Sequence, residues 1–240
     1  MLVNMNHVLR YAEEKQCCVG AFDTPNLEIL MAVIRAAEKR EEPVIIQHAQ
    51  LHECEMPIHI IGPIMVRMAK EARVPVCVML DHGEDLDYVR KALDLGFSAV
   101  MYDGSSLAYE ENVAMTREVV AMAKACNADV EAEIGIVTGH EGKTFAINDV
   151  SDAYTDPELA ARLPLVMHGG SGISVADIQR AIRCGIRKIN YFSYMSNAGV
   201  KAVKKLLEEK EVKYFHDLAN AAVDAMEQDV LNAMSMFALE

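Results

Sequence analysis

Two adjacent residues, Asp81 and His82, follow the apolar run PVCVML and set a carboxylate beside an imidazole. At the end of a buried strand such a pair offers a metal ligand and a proton-transfer group to one pocket. The plainer reading is that Asp81 caps a helix formed by GEDLDYVRKAL. A second imidazole, His168, opens the run His168-Gly169-Gly170-Ser171-Gly172 after LPLVM. Glycines let backbone N–H groups turn toward one point, and a helix starting near Ser174 adds positive potential, so the run suits a phosphate. From the glycines alone a tight turn reads equally well. Asn190 and Ser193, just past the next apolar run, supply further polar groups. Asp103, in Asp-Gly-Ser, and Glu133 are two more carboxylates at strand ends. They are able to bind a cation, to orient a histidine or simply to hydrogen-bond within the fold. Glu141, in the loop TGHEGK, is either a base on a mobile lid or a solvated glutamate. One histidine at a strand end is ordinarily structural; two at equivalent ends favour a metal site.

These residues need a scaffold that brings strand ends together. Short apolar runs at 17–22, 43–47, 75–80, 98–102, 129–134, 163–167 and 187–191 read as buried strands, rich in Val and Ile. Amphipathic segments at 26–40, 58–72, 84–95, 109–125 and 175–184 lie between them. Strand and helix in alternation imply parallel pairing, and strands without a polar face imply helices on the sheet. The first strand is followed by AFDTPN, not G-x-G-x-x-G, so a dinucleotide-binding sheet lacks its fingerprint. A barrel places chemically active residues just past the C-terminal ends of its strands. Asp23, His48, Asp81, His82, Asp103, Glu133, His168 and Asn190 all fall there. The expectation is a (β/α)8-type TIM barrel, incomplete because seven strands and not eight are recognisable. A short helix at 157–162 and an extra C-terminal helix at 214–237 complete the reading. No strand is read as carrying an interior lysine.

Bulk properties narrow the class. One domain spanning 1–240 is expected, since no linker, repeat or low-complexity segment divides the chain. The net charge of −13 argues against nucleic acid, yet leaves room for a small anion held by backbone N–H groups. No run reaches the ~18 apolar residues of a membrane span, and the opening MLVNMNHVLRYAEEKQ turns charged too early for a secretory signal. The six cysteines contain no C-x-x-C pair and read as reduced thiols. A soluble, cytoplasmic chain is expected.

The motifs MLDHG (79–83), MYDGSS (101–106), VEAEIG (130–135) and LVMHGGSGI (165–173) occur in this order. With VGAFD, YTDPE and RKIN they resemble the class II ketose-bisphosphate aldolases of the fructose- and tagatose-bisphosphate type. The resemblance covers nearly the whole chain. It implies a zinc-dependent lyase of carbohydrate metabolism, of the kind found in glycolysis. Such an enzyme cleaves a ketose 1,6-bisphosphate to dihydroxyacetone phosphate and an aldehyde. His82 and His168 look like two of the family's three zinc ligands, and Asp81 like the acid–base group at the aldehyde-derived hydroxyl. Gly169, Gly170, Ser171, Asn190 and Ser193 match positions that hold the phosphorylated three-carbon moiety. Glu141 matches the mobile base that takes the C–H proton. A monovalent cation and a homo-oligomer, dimeric or larger, are also consistent with the resemblance.

The chain departs from that pattern where it counts. The family's middle zinc histidine lies in a G-T-x-H-G motif between YTDPE and the HGGSG strand. Here YTDPELAAR runs directly into LPLVMHGG. His48, Glu133 and His140 are the substitute ligands the sequence offers. Asp23 stands where the family has asparagine, and NYFSYM replaces its N-V-x-T pattern. Two expectations stand side by side: an active aldolase with a recruited third ligand, or an impaired relative that binds sugar phosphates or serves a structural role. Strand number and tilt are linked in a barrel, so loss of one unit predicts a distorted or open barrel, or a dimer that covers the gap.

Overall fold

The computed structural model describes residues 1–133, 164–170 and 172–240. All seven expected strands are present as β2 (Val19–Asp23), β3 (Val44–Ala49), β4 (Val76–Gly83), β5 (Ala99–Tyr102), β6 (Asp129–Ala132), β7 (Leu165–Met167) and β8 (Ile186–Tyr191). They pair in parallel along the path β6-β5-β4-β3-β2-β8-β7. A two-residue strand, β1 (Leu2–Val3), adds to the start of β4. Among the described residues the seven strands on this path, with β1 at their side and eight α-helices, form an incomplete (β/α)8 barrel. Among the described residues its end strands, β6 and β7, are not hydrogen-bonded to each other. Their burial shows the difference: β3 and β4 are buried throughout, whereas β7 is half-buried along its length. The expected helix at 157–162 lies outside the described residues.

Register explains which side chains face inward. Alternate residues on a strand point to opposite faces, and Ala21, Ile45 and Cys77 lie side by side, as do Met79 and Ala99. These join Val19 and Met101 in one apolar cluster inside the barrel. Helix α1 (Met5–Lys15), which the sequence reading did not anticipate, buries Met5, Val8 and Ala12 in that cluster and plugs the N-terminal end. Asn4 caps it by accepting from the His7 N–H at 3.2 Å. The alternate set, including Phe22, Val44, Ile46, Val76, Val78 and Leu80, packs under the surrounding helices.

Those helices are α2 (Leu27–Arg40), α3 (Ile58–Glu71), α4 (Leu86–Asp94), α5 (Tyr109–Ala125), α6 (Val175–Arg183), α7 (Ser193–Glu209) and α8 (Phe215–Phe237). Asn26, Asp85 and Ser174 cap α2, α4 and α6 by accepting a backbone N–H three residues on. The extra C-terminal helix, α8, packs on α2 and α7 and sets Phe237 edge-on to Tyr191, with ring centroids 6.0 Å apart. Helix α7 was also absent from the sequence reading. Although the strand path is open, the sheet curls far enough for β8 to meet β6. Lys188 Nζ lies 3.0 Å from Glu131 Oε2 across the interior. Lys188 is fully buried, which corrects the expectation that no strand carries an interior lysine. Its neighbour Arg187 points the other way, so the basic pair at 187–188 reads as a strand end until the register is known.

Candidate active site

The mouth at the C-terminal ends of the strands is built around a break in β4. Consecutive strand residues should face opposite sides, yet Asp81 and His82 are both turned into the mouth. His82 has φ 44°, a left-handed conformation rarely adopted by residues other than glycine, and the pairing with β5 shifts register between Leu80 and Gly83. This bulge turns His82 back to the side that Asp81 already occupies. A glycine must follow, because a Cβ at Gly83 would lie 2.8 Å from the Met101 carbonyl oxygen. Strained backbone of this kind is concentrated at functional sites.

His82 and His168, one residue past β7, have ring centroids 4.8 Å apart. Behind His82, Nδ1 lies 3.0 Å from Asp103 Oδ2 and 3.7 Å from Glu133 Oε2. Asp103 is in turn fixed by Ser105, whose N–H and hydroxyl both donate to Oδ1, at 3.1 and 2.6 Å. On the other side of the ring, Nε2 lies 3.9 Å from Asp81 Oδ2. His168 Nε2 lies 3.6 Å from Glu131 Oε1, and its Nδ1 is 3.2 Å from Asn190 Nδ2. The same Asn190 amide donates to both oxygens of Asp81, at 3.2 and 3.4 Å. Its orientation is set from below, since Lys188 Nζ donates to Asn190 Oδ1 at 2.7 Å.

The charges are unbalanced in favour of a cation. Burial disfavours the charged form of His82, but Asp103, Asp81 and Glu133 overcome it and push its pKa up to about 9. Burial acts on Asp103 too, yet its bonds to His82 and Ser105 hold the carboxyl well below the usual range. Asp81 is held low by His82, Lys188 and His168 against the effect of burial. Burial, then the Lys188 charge, takes His168 down to about 4, which keeps its imidazole neutral and able to donate a lone pair. Asp23, at the end of β2, is pushed well above the ordinary range by burial and by Asp81, while Gln47 Nε2 donates to its Oδ1 at 3.1 Å.

Two imidazoles and a carboxylate are donors that suit zinc or a related divalent ion. Ligand atoms of Asp81, His82 and His168 lie within 4.8 Å of one another, and so do those of His82, Asp103 and Glu133. The residues present therefore fit a divalent metal. Among the described residues no third histidine reaches the pair. His48 sits on the opposite face of its strand from the mouth, fully buried, with Nε2 3.3 Å from the Tyr88 hydroxyl of α4. It is not brought to the cluster. Glu141, His140 and Ser171 lie outside the described residues.

The remaining residues fall around the mouth. Gly169 has φ 69°, and the Gly170 N–H donates to the Asn190 carbonyl at 3.1 Å, which ties the glycine loop to β8. A Cβ at Gly170 would lie 2.7 Å from Ile189 Cγ2. Ser193 is exposed and opens α7, whose cap residue, Phe192, makes no side-chain capping bond. The first-turn amides of that helix add positive potential at this end of the barrel. Glu131, Lys188 and Asp23 are site neighbours to which the sequence reading assigned no role. A usable signal existed for Glu131, two residues before Glu133 on one strand and so on the same face.

The family model described as fructose-bisphosphate aldolase class-II matches in two pieces, residues 3–164 and 158–240. The pieces meet at the segment where the family's middle histidine motif is missing. A probable fructose-bisphosphate aldolase of Bacillus subtilis is 32% identical over 280 positions, covering 98% of this chain and 97% of its own length. That alignment is longer than the 240-residue chain, so the relative carries positions with no counterpart here. A 6-phospho-5-dehydro-2-deoxy-D-gluconate aldolase of Halalkalibacterium halodurans is 31% identical, with coverage of 98% and 96%. Among solved structures, the YdjI aldolase of Escherichia coli K12 superposes with a TM-score of 0.86 at 29% identity, covering 99% of this chain and 97% of that one.

Proposed function

Since the chain belongs to the class-II fructose-bisphosphate aldolase family, we propose that it is a metal-dependent aldolase cleaving a ketose 1,6-bisphosphate to dihydroxyacetone phosphate and an aldehyde. The observation that carries this reading is the pair of histidines, His82 and His168, 4.8 Å apart at the barrel mouth with Asp81 beside them. Aldolase chemistry itself follows from family membership; the metal and the substrate are the proposal.

In this reading His82 and His168 hold a divalent ion, zinc by family habit, which when bound polarises the substrate carbonyl as a Lewis acid. Asp103 and Glu133, behind His82, fix its ring and raise its basicity as a ligand. Asp81 takes and returns the proton of the hydroxyl on the aldehyde-derived half. Gly169 and Ser171, with Asn190 and Ser193, hold the phosphorylated three-carbon half through backbone N–H groups, side chains and the N-terminus of α7, while Gly170, its N–H tied to Asn190, fixes the turn. Glu141 is proposed as the base for the C–H proton. Asp103 serves to orient His82, in preference to holding a monovalent cation, because both its oxygens are already committed to His82 and Ser105.

Relatives of similar identity are named for different phosphorylated substrates, so the assay is a panel. Fructose 1,6-bisphosphate, tagatose 1,6-bisphosphate and 6-phospho-5-dehydro-2-deoxy-D-gluconate are offered to zinc-loaded protein with and without chelator. Chelator-sensitive release of a triose phosphate or aldehyde is expected. Cleavage of the gluconate derivative alone would overturn the bisphosphate substrate, and absence of cleavage of all three by folded, zinc-treated protein would overturn the whole proposal. That absence would favour the second reading, an impaired relative that binds sugar phosphates, which the meeting of the two family pieces at 158–164 supports. A homo-oligomer is proposed because large apolar residues are exposed on α5, Tyr109 and Val120, and at the start of α6, Ile173 and Val175. No described helix is long and apolar enough to cross a membrane.

A further inference from the structure

We propose that Asp81 is the third protein ligand of the metal, in place of the histidine that the missing segment would have supplied. The inference rests on the metal-dependent reading above and deepens it. Each histidine has a carboxylate behind one ring nitrogen: Asp103 at 3.0 Å from His82 Nδ1, and Glu131 at 3.6 Å from His168 Nε2. A metal-ligating histidine places its other nitrogen against such a partner. That leaves His82 Nε2, which faces Asp81, and His168 Nδ1, which would take the ion in place of the Asn190 amide proton it accepts here. His82 Nε2 is 3.9 Å from Asp81 Oδ2, and His168 Nδ1 shares the Asn190 amide with both Asp81 oxygens.

Bonds of about 2.0–2.1 Å in a tetrahedral site put neighbouring ligand atoms roughly 3.3–3.4 Å apart. One ligand atom of each of Asp81, His82 and His168 already lies within 4.8 Å of the others, so side-chain adjustments close the set. The other carboxylates are placed wrongly for this ion. Glu133 is on the Nδ1 side of His82, 3.7 Å away, and Glu131 is engaged by Lys188. Two histidines and one carboxylate are a sufficient catalytic zinc set, with the fourth position left for water or substrate. Coordination through one oxygen leaves the second oxygen of Asp81 for the hydroxyl proton, so ligand and acid–base duties are compatible.

The test is metal binding to the full chain after stripping with a chelator. Zn2+ is titrated against a competing chromophoric chelator, and Co2+ is followed by visible absorption, which reports coordination geometry. Wild type is expected to bind one ion per chain. Asp81→Asn should lose at least ~100-fold in affinity, beyond the ~10–100-fold expected for the outer-shell change Asp103→Asn. It should also lose the wild-type Co2+ spectrum. Asp81→His, which restores a three-histidine set, should keep tight binding with an altered spectrum, and keeps the test informative should Asp81→Asn fold poorly. His48→Gln should bind as wild type does. Equal affinity in wild type and Asp81→Asn would overturn this inference while leaving the metal-dependent reading intact. Failure of the folded wild type to bind either ion would overturn both.

Discussion

Replacing Lys188 by methionine keeps most of the buried stem and removes the charge. The side chain is fully buried, with Nζ 3.0 Å from Glu131 Oε2 and 2.7 Å from Asn190 Oδ1. Breaking a buried ion pair by deleting one partner costs about 3–5 kcal/mol, because the remaining charge is uncompensated. Burial already pushes the Glu131 carboxyl up, Lys188 pulls it down and Asp81 adds to the rise. Without the lysine Glu131 takes up a proton instead of staying charged, which places its share near the lower end, about 3 kcal/mol. The Asn190 carbonyl oxygen loses its donor, adding about 1 kcal/mol. The expected loss is therefore roughly 4 kcal/mol. At about 2–4 °C per kcal/mol for a chain of this size, Tm should fall by roughly 10 °C. Urea denaturation and calorimetry of metal-free protein measure both. The double variant Lys188→Met with Glu131→Leu should recover most of the loss, since an apolar pair of similar volume often matches a buried ion pair. A loss below ~1 kcal/mol in the single variant, or a double variant less stable than the single, would refute the reading of Lys188 and Glu131 as a buried ion pair between β8 and β6.

Two further outcomes follow from separate parts of the fold. Burial and then His52 hold the His48 imidazole down at about 4, against an ordinary value near ~6.5. Between those values the unfolded chain binds more protons than the folded one. This contribution to stability is therefore full above pH ~6.5 and is lost as pH falls toward 4, by roughly 3 kcal/mol at ~1.4 kcal/mol per unit. In His48→Gln the urea midpoint should lose that part of its pH dependence, and an unchanged slope would contradict the assignment. Gly170→Ala brings a Cβ to 2.7 Å from Ile189 Cγ2 and 3.0 Å from the Asn190 oxygen. It should cost about 1–3 kcal/mol and weaken binding of phosphorylated substrate, measured by calorimetric titration; full retention of both would separate this loop from the phosphate.

The sequence by itself determined the strand and helix order, because period-2 and period-3.6 apolar patterns are local properties. All seven strand cores were legible, and so were the residues just past them that face the mouth, among them Asp81, His82, Asp103, Glu133 and His168. Family membership was legible too, in four short motifs whose order survives the missing unit. What the chain order alone left undecided was facing and closure. His48 and His82 look alike in sequence, each following an apolar run. Strand parity sends His48 under α4, while a bulge and a left-handed backbone at His82 turn it inward. Lys188 and Arg187 are adjacent residues of equal charge, and the pairing of β8 with β2 and β7 decides which enters the barrel. Helix α1 became a plug because Met5, Val8 and Ala12 pack against the inward-facing apolar residues of the strands. The carboxylates behind the two histidines come from other strands, Asp103 from the end of β5 and Glu131 from β6, and position alone does not say which histidine each one meets. Their pairing is fixed only once the curled sheet brings β4, β5, β6, β7 and β8 to one point, a long-range geometry to which no single segment's preferences commit the chain.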